Sequence, residues 1–411
     1  MAVADRRSSS PRRLGILGGG QLARMLAESA QRQGLEVCVL APRRDEPAAI
    51  DGVLLVEGAL DDPEALSRLA AASDVVTLEN EFLNVERLQE ALARHPSVAL
   101  RPASACVTVA QDKLAQKRLF EDVGVATSAY VVLPPDADAD DLAALGARFE
   151  RGYVLKWSRF GYDGRGNFVV ADPKAVSAAD ALSFCRAGQR RGASVYAEAF
   201  VDFACEVAMV STRALDGTQV HFPLVISVQE RSVCREVYGP ATAFGVDAAV
   251  EIEAREVLAK IARRLDYVGT FAVEFFLSRD GRLLANEMAP RVHNTGHYTL
   301  FDDEPSQFDL HVQAVTGRPL SAPAVREHFV MRNLLGPFDL PGRTPCRPPT
   351  APPPPGTELY WYHKKDVGPG RKMGHISGRA PTPEAIGRLR EALAAYEHRF
   401  WHTSLDERPP S

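Results

Sequence analysis

Short apolar runs alternate with helical stretches over the first quarter of the chain. Leu14–Leu17 reads as a strand entering Gly18-Gly19-Gly20, and Gln21–Gln33 as a helix with Leu22, Met25, Leu26 and Ala30 on one face. Gly34 stops that helix, and Glu36–Leu40 forms the next strand. Pro63–Ala71 and Val85–Arg94 read as helices, Asp74–Leu78 and Val98–Leu100 as strands. This β-α-β alternation predicts a Rossmann-like, doubly wound unit over residues 14–111, with Glu79, Asn80 and Glu81 just past a strand end. A glycine turn at a helix N-terminus is a ready anion site. The run GGGQLA is not a clean GxGxxG, and no acidic residue follows Leu40, so dinucleotide binding is not expected.

Beyond Asp112 the pattern changes to hairpins. A helix runs from Gln111-Asp112-Lys113 through Glu121, and a polar linker, Pro134–Asp141, precedes a helix at Leu142–Phe149. Tyr153–Trp157, Ser194–Ala199, Glu206–Val210 and Val220–Val228 read as strands, Glu251–Leu265 and Gln307–Val315 as helices. Phe271–Leu277 and Leu283–Met288 flank Asp280-Gly281, a strong signal for a two-residue turn. Counting outward from that turn, Arg279 faces Arg282 and Glu274 faces Glu287. The Gly336–Gly356 stretch is rich in proline and reads as an extended loop. A strand at Glu358–His363 and a helix at Pro383–Ala395 follow. Three domains are expected, at 14–111, 112–320 and 321–403, with disordered tails at 1–13 and 404–411.

Composition narrows the class. A net charge of −5 over 411 residues argues against a general nucleic-acid binder. The six cysteines are scattered with no CxxC pair, which suits reduced thiols in a cytoplasmic protein. No apolar run is long enough for a membrane helix, and the polar, basic first thirteen residues lack the core of a signal peptide.

The chemistry concentrates in a few places. Two carboxylates about 5 Å apart repel by roughly 3 kcal/mol at an effective dielectric near 20. Glu274 and Glu287 therefore point to a bound cation, and hard oxygen donors suit Mg²⁺. A register differing by one or two residues would leave both solvated instead. Arg291, His293, Asn294 and His297 crowd the loop after the second strand. Lys156 interrupts an apolar strand and needs an anionic partner. It is followed by FGYDGRGN, in which Gly161, Gly164 and Gly166 let backbone amides approach an anion and Arg165 adds charge. A plain hairpin with a snorkelling lysine is the bland alternative. Together the strand lysine, glycine-rich turn and carboxylate pair suit a nucleoside triphosphate with Mg²⁺. GPGRKMGH, with Lys364 and Lys365 before it, is either a phosphate loop or a solvated basic turn.

GILGGGQLARM, GYDGRGN, NEMAPRVHNTGHYT and PGRKMGHIS occur in this order. With them the chain resembles the ATP-grasp enzymes, and among these the 5-(carboxyamino)imidazole ribonucleotide synthase family of purine biosynthesis, over roughly Leu14 to Leu393. The resemblance implies a Rossmann-like N-terminal domain, a central ATP-grasp domain and a small β-rich C-terminal domain. It implies ATP-dependent carboxylation of 5-aminoimidazole ribonucleotide with bicarbonate, through carboxyphosphate, by a homodimer. Lys113 and Lys156 would hold ATP phosphates beneath a flap of Gly161, Tyr162, Asp163, Gly164, Arg165, Gly166 and Asn167. Glu198 and Val201 would meet adenine, and Glu206 the ribose. Gln229 would lie beside ATP, where the family usually carries a histidine. Glu274 and Glu287 would carry Mg²⁺, with Asn286 beside them. Gly20, Gln21, Leu22 and Glu79 would seat the imidazole nucleotide, and Lys365, Arg371 and Lys372 would clamp its phosphate. Arg291, His293 and Asn294 would face bicarbonate and the amine. Phe160 stands where a glycine often precedes GYDG. A related ligase acting on a different amine is the alternative.

Overall fold

The computed structural model describes residues 11–161, 166–301, 304–325 and 327–406, the last four by backbone alone. Tyr162, Asp163, Gly164 and Arg165 lie outside the described residues, as do residues 1–10 of the expected N-terminal tail and 407–411 of the C-terminal one. The final helix, Pro383–Asp406, continues through the start of that expected tail.

The first unit is a five-stranded parallel sheet with helices packed on it, as its pattern predicts. Strand order is Val53–Glu57, Glu36–Ala41, Arg13–Leu17, Val75–Leu78, Ala99–Leu100. The order reverses between Arg13–Leu17 and Val75–Leu78, so their carboxyl ends open the crevice where such sheets bind ligands. The first strand begins at Arg13 because Asp74 accepts its backbone N–H (3.0 Å) and its guanidinium (2.7 Å). Val53–Glu57 adds an edge strand that periodicity does not mark, and it is only partly buried.

Among the described residues the antiparallel part contains two large sheets and a two-stranded ribbon, Thr344–Pro345 with Asp366–Val367. A four-stranded one, in the order Tyr130–Val132, Val195–Ala199, Tyr153–Trp157, Asn167–Val170, has its own apolar core with helices Ala139–Arg148 and Ala178–Gln189. The helix at 139 starts earlier than expected because Asp138 and Asp141 form a reciprocal cap that turns the polar linker into a helix start. The second sheet has nine strands. The expected strand Val220–Val228 is two, Gln219–His221 and Val225–Glu230, separated around Pro223, which has no N–H to give a ladder. His328–Leu335, Lys372–Ala380 and Thr357–Trp361 extend the same sheet from Val233–Gly239, so strands on both sides of residue 320 share one ladder.

The cores differ in reach. Residues of the first unit such as Leu14, Leu26 and Val39 share one buried cluster with Phe308 and Val312, of helix Gln307–Thr316, and with Tyr362. His311 joins the same units. Its Nδ1 accepts from Thr270 N at 3.0 Å, so its Nε2–H donates to Thr77 Oγ1 at 2.8 Å. The six cysteines are free thiols. Among the described residues no helix is long and apolar enough to cross a membrane.

Candidate active site

Glu274 and Glu287 stand directly opposite each other on strands Gly269–Ser278 and Leu283–Ala289. They arrive there by two offsets that cancel. The turn has three residues, not two: Ser278 N–H donates to Arg282 O at 2.9 Å, with Gly281 left-handed at φ 84. Arg282 thus faces Ser278, and Arg279 pairs with Asp202 instead. That would shift every later pair by one, but the register jumps back between Glu274 and Phe275. The extra residue is Asn286, a β-bulge. The bulge lets both Ala285 and Met288 face the core while Glu287 faces away from it.

The two carboxyls are driven apart. Burial, the charge of Glu287 and then Glu206 raise Glu274 to about 7. Burial also raises Glu287, but the Lys113 ammonium, 2.5 Å from its Oε2, brings it below the ordinary carboxylate range. Lys113 is the first residue of helix Lys113–Asp122, whose N-terminus Asp112 caps through Leu114 N (2.9 Å) and Ala115 N (3.2 Å). Glu206 is raised by burial to about 7, against the pull of Lys156. Glu287 and Glu206 both act on Glu274, which among the described residues has only His293 within ion-pair distance. Burial, then Arg291 and Lys372, keep that histidine neutral. Its Nδ1 accepts from Thr295 N, so the Nε2–H looks toward Glu274 Oε1 at 3.7 Å. A hard oxygen-bound cation such as Mg²⁺ fits this donor set.

Glu198 is a different kind of carboxylate. It is 3% exposed, bonded by Ser128 and ion-paired with both Lys156 and Lys117, the latter at 2.5 Å. Burial pushes it up, but Lys156 and Lys117 overcome that and hold it at about 2. Its side chain is thus occupied by lysines. Lys117 was not anticipated. The available signal was its position four residues after Lys113, on the face that also buries Leu114. Val201 lies half-buried in the short link after strand Val195–Ala199, and Asn167 pairs with Lys156 across the neighbouring strands. Gly161 precedes the undescribed segment. Gly166 follows it with φ 78, and its carbonyl accepts from Trp157 N at 2.9 Å. Phe160 has φ 65, which explains why a glycine suits that position. Gln229 donates to Ser227 Oγ at 2.9 Å, beside a second register shift.

At the crevice of the first unit, the anion at the helix N-terminus is the protein's own. Glu79 accepts from Gly20 N at 2.7 Å and Ala23 N at 3.0 Å, and burial raises its carboxyl. A Cβ on Gly20 would fall 2.8 Å from that carboxylate. Leu22 points its side chain into the core, so only its backbone N–H, like that of Gln21, remains for a ligand. Glu81 grips Arg291 through Nε (2.7 Å) and Nη2 (3.3 Å), a pairing that sequence reasoning missed. Arg291 Nη1 also reaches Val292 O, which leaves two of its five N–H groups uncommitted among the described residues. The Asn294 amide is turned inward, exchanging hydrogen bonds of 2.9 and 2.7 Å with Asn333.

The basic loop divides. The Lys372 charge bears on Glu274 and His293, and that of Lys364 on Glu79. Lys365 turns away to Asp45 at 2.6 Å and is 72% exposed. His363, left-handed at φ 55, precedes the two lysines that face apart. Arg371 is anchored by the Asp366 carboxylate and by its backbone oxygen, at 2.8 Å to the latter.

Comparison with known proteins gives three successive family matches. Residues 12–111 match the ribonucleotide synthetase preATP-grasp domain, 118–308 the ATP-grasp domain, and 330–388 the phosphoribosylaminoimidazole carboxylase C-terminal domain. The N5-carboxyaminoimidazole ribonucleotide synthase of Brucella melitensis is 37% identical over 371 residues, covering 90% of this chain and 96% of that one. A crystal structure of carboxyaminoimidazole ribonucleotide synthase from Aspergillus clavatus with ATP superposes with a TM-score of 0.81 at 32% identity, covering 95% and 99%. The same fungal synthase with ADP and 5-aminoimidazole ribonucleotide gives a TM-score of 0.80 at 31% identity and the same coverage.

Proposed function

The chain belongs to the N5-carboxyaminoimidazole ribonucleotide synthase family, and we propose that it carries out the ATP-dependent carboxylation of 5-aminoimidazole ribonucleotide with bicarbonate. Products are the N5-carboxylated ribonucleotide, ADP and phosphate. The observation that carries the mechanism is the opposed Glu274/Glu287 pair with Lys113 at its edge.

Bicarbonate oxygen attacks the γ-phosphorus of ATP, ADP leaves, and the resulting carboxyphosphate passes its carboxyl to the exocyclic amine as phosphate departs. The protein's task in such a transfer is positioning and positive charge. Lys113 and Lys156 serve the ATP phosphates. Glu274 and Glu287, with Asn286 beside them, would hold Mg²⁺, which supplies neutralising charge between the phosphates when bound. The free N–H groups of Arg291 face the bicarbonate oxygens while Glu81 fixes the guanidinium plane. Neutral His293 offers its Nε2–H, and Asn294, through Asn333, braces the loop that carries both. Arg371, Lys372 and Lys364 take the ribonucleotide phosphate, with the Gln21 and Leu22 backbone amides below. Lys364 replaces Lys365 in that role because its charge reaches Glu79. The proposal extends to a homodimer acting in the cytoplasm, as the family resemblance suggests, and sedimentation of the purified chain tests the dimer.

The test is ADP release from Mg²⁺-ATP with bicarbonate and the ribonucleotide added singly and together. Strong stimulation by the two together is expected. ATP turnover indifferent to that ribonucleotide would move the reading to a ligase for another amine.

A further inference from the structure

A cavity of about 730 Å³ lies behind the basic loop, between the hairpin tip at Arg231, the loop 336–341 and the C-terminal helix. That volume falls in the range of roughly 300–1,000 Å³ typical of small-ligand pockets. Arg231 and Ser232 are both left-handed, at φ 51 and 64. A two-residue turn of that hand favours Asn-Gly or Asp-Gly, and a residue with a Cβ is strained there. The strained turn sets the Arg231 guanidinium 5.0 Å from the centre of the Phe338 ring. Arg235 and Arg332 line the same cavity but are held by Glu397 at 2.5 and 2.8 Å. Among the described residues, Arg231 has that ring contact and no ion pair. Asp339 is also in the wall. Trp401, only 7% exposed, lines the cavity too, and its Nε1–H is buried without an acceptor among the described residues. A buried donor left unmade is costly and calls for an acceptor.

Phe338 also touches the basic loop. A Cβ on Gly370 would fall 2.7 Å from Phe338 Cε1. Gly336 N donates to Arg371 O and Gly370 N donates to Gly336 O, both at 2.9 Å. We propose that this cavity is a second ligand site for a nucleoside monophosphate, its ring along the Phe338 and Trp401 wall and its phosphate on Arg231. Occupancy then alters the grip of Arg371 and Lys372 on the substrate phosphate. The coupling rests on the substrate reading above; the binding does not.

The full chain is saturated with ADP, to fill the ATP site, and titrated by calorimetry with adenosine monophosphate, with adenosine and inorganic phosphate as separate arms. One saturable site for the monophosphate is expected. Arg231→Asn with Ser232→Gly should weaken it at least tenfold while raising the thermal midpoint, so the loss is not unfolding. Ser232→Gly alone should bind as the parent does, and Trp401→Phe should bind several-fold more weakly. No binding of the monophosphate, or binding indifferent to the double variant, overturns the site. Equal binding of bare phosphate overturns the role of the ring. In turnover assays the monophosphate should change KM for the ribonucleotide at least threefold with kcat unchanged, and an unmoved KM overturns the coupling. Absence of carboxylation without the monophosphate counts against the proposed function and leaves the binding isotherm to stand by itself.

Discussion

Glu198 and Glu274 are both glutamates on antiparallel strands, the first buried and the second half-buried, yet one is held at about 2 and the other rises to about 7. Around Glu198 the protein matches its own carboxylate with two lysines, Lys117 and Lys156, and with Ser128, a net positive cluster. Around Glu274 it adds two further carboxylates, Glu287 and Glu206, and leaves the balance open. At Glu198 the carboxylate needs nothing from outside, Lys117 holds it within the fold, and the surplus charge of Lys156 is the one proposed above for the ATP phosphates. An open cluster costs stability until something positive arrives, which is the mark of a binding site.

The strongest challenge to this contrast is Glu287→Gln. Turnover should fall on the order of a thousandfold or more, with the thermal midpoint near that of the parent; parental rates would sink the role given to the open pair. Next is Lys117→Met, which leaves Glu198 short of a cation deep in the protein. Breaking a buried pair costs about 3–5 kcal/mol, readable by urea unfolding. A loss below about 1 kcal/mol would show that Lys117 does not hold Glu198 within the fold.

The pH dependence should have opposite signs at the two places. The Glu274 carboxyl is raised on folding, so its favourable contribution is present below about 4.5 and is lost as pH rises through about 7. Without divalent metal, the parent should lose on the order of 1–3 kcal/mol relative to Glu274→Gln between pH 4.5 and 8. Parallel stability curves for the two proteins would refute this. The Glu198 carboxyl is depressed, so its contribution is present above about 4.5 and disappears as pH falls through about 2. The smallest effect belongs to Lys113→Met. Its pair with Glu287 is part-exposed, at 20% and 39%, so stability should change by less than about 1 kcal/mol while KM for ATP rises. A stability loss like that of Lys117→Met would erase the distinction.

Much of this was legible from periodicity and turns, though not always for the right reason. Glu274 faces Glu287 as counted, but only because the three-residue turn and the Asn286 bulge offset each other. Lys156 needed an anion and has one, but that anion, Glu198, had been reserved for adenine. Partners distant in sequence left no local pattern: Glu81 with Arg291, Asn333 with Asn294, and Lys117 with Glu198. Neither does composition reveal which of two adjacent lysines faces inward: Lys365 pairs with Asp45 at the surface, while the charge of Lys364 bears on Glu79. The glycine turn at Gly18–Gly20 reads as an anion site for a ligand, whereas the carboxylate there is the chain's own Glu79, which accepts from Gly20 N and Ala23 N.

The shared core has a consequence for how the chain is made. Strands Arg13–Leu17 and Glu36–Ala41 emerge from the ribosome early, but Phe308, Val312 and Tyr362, which share their buried cluster, emerge on the order of 300 residues later. At roughly 5–20 residues per second, the N-terminal sheet waits tens of seconds with part of an apolar surface uncovered. The module with its own core, Tyr130 to Ala199, has no such wait and can close while the rest is still being synthesised. In a cell the vulnerable interval therefore runs from synthesis of the first strands to synthesis of Tyr362. Truncated chains ending before Tyr362 should be the forms that chaperones retain.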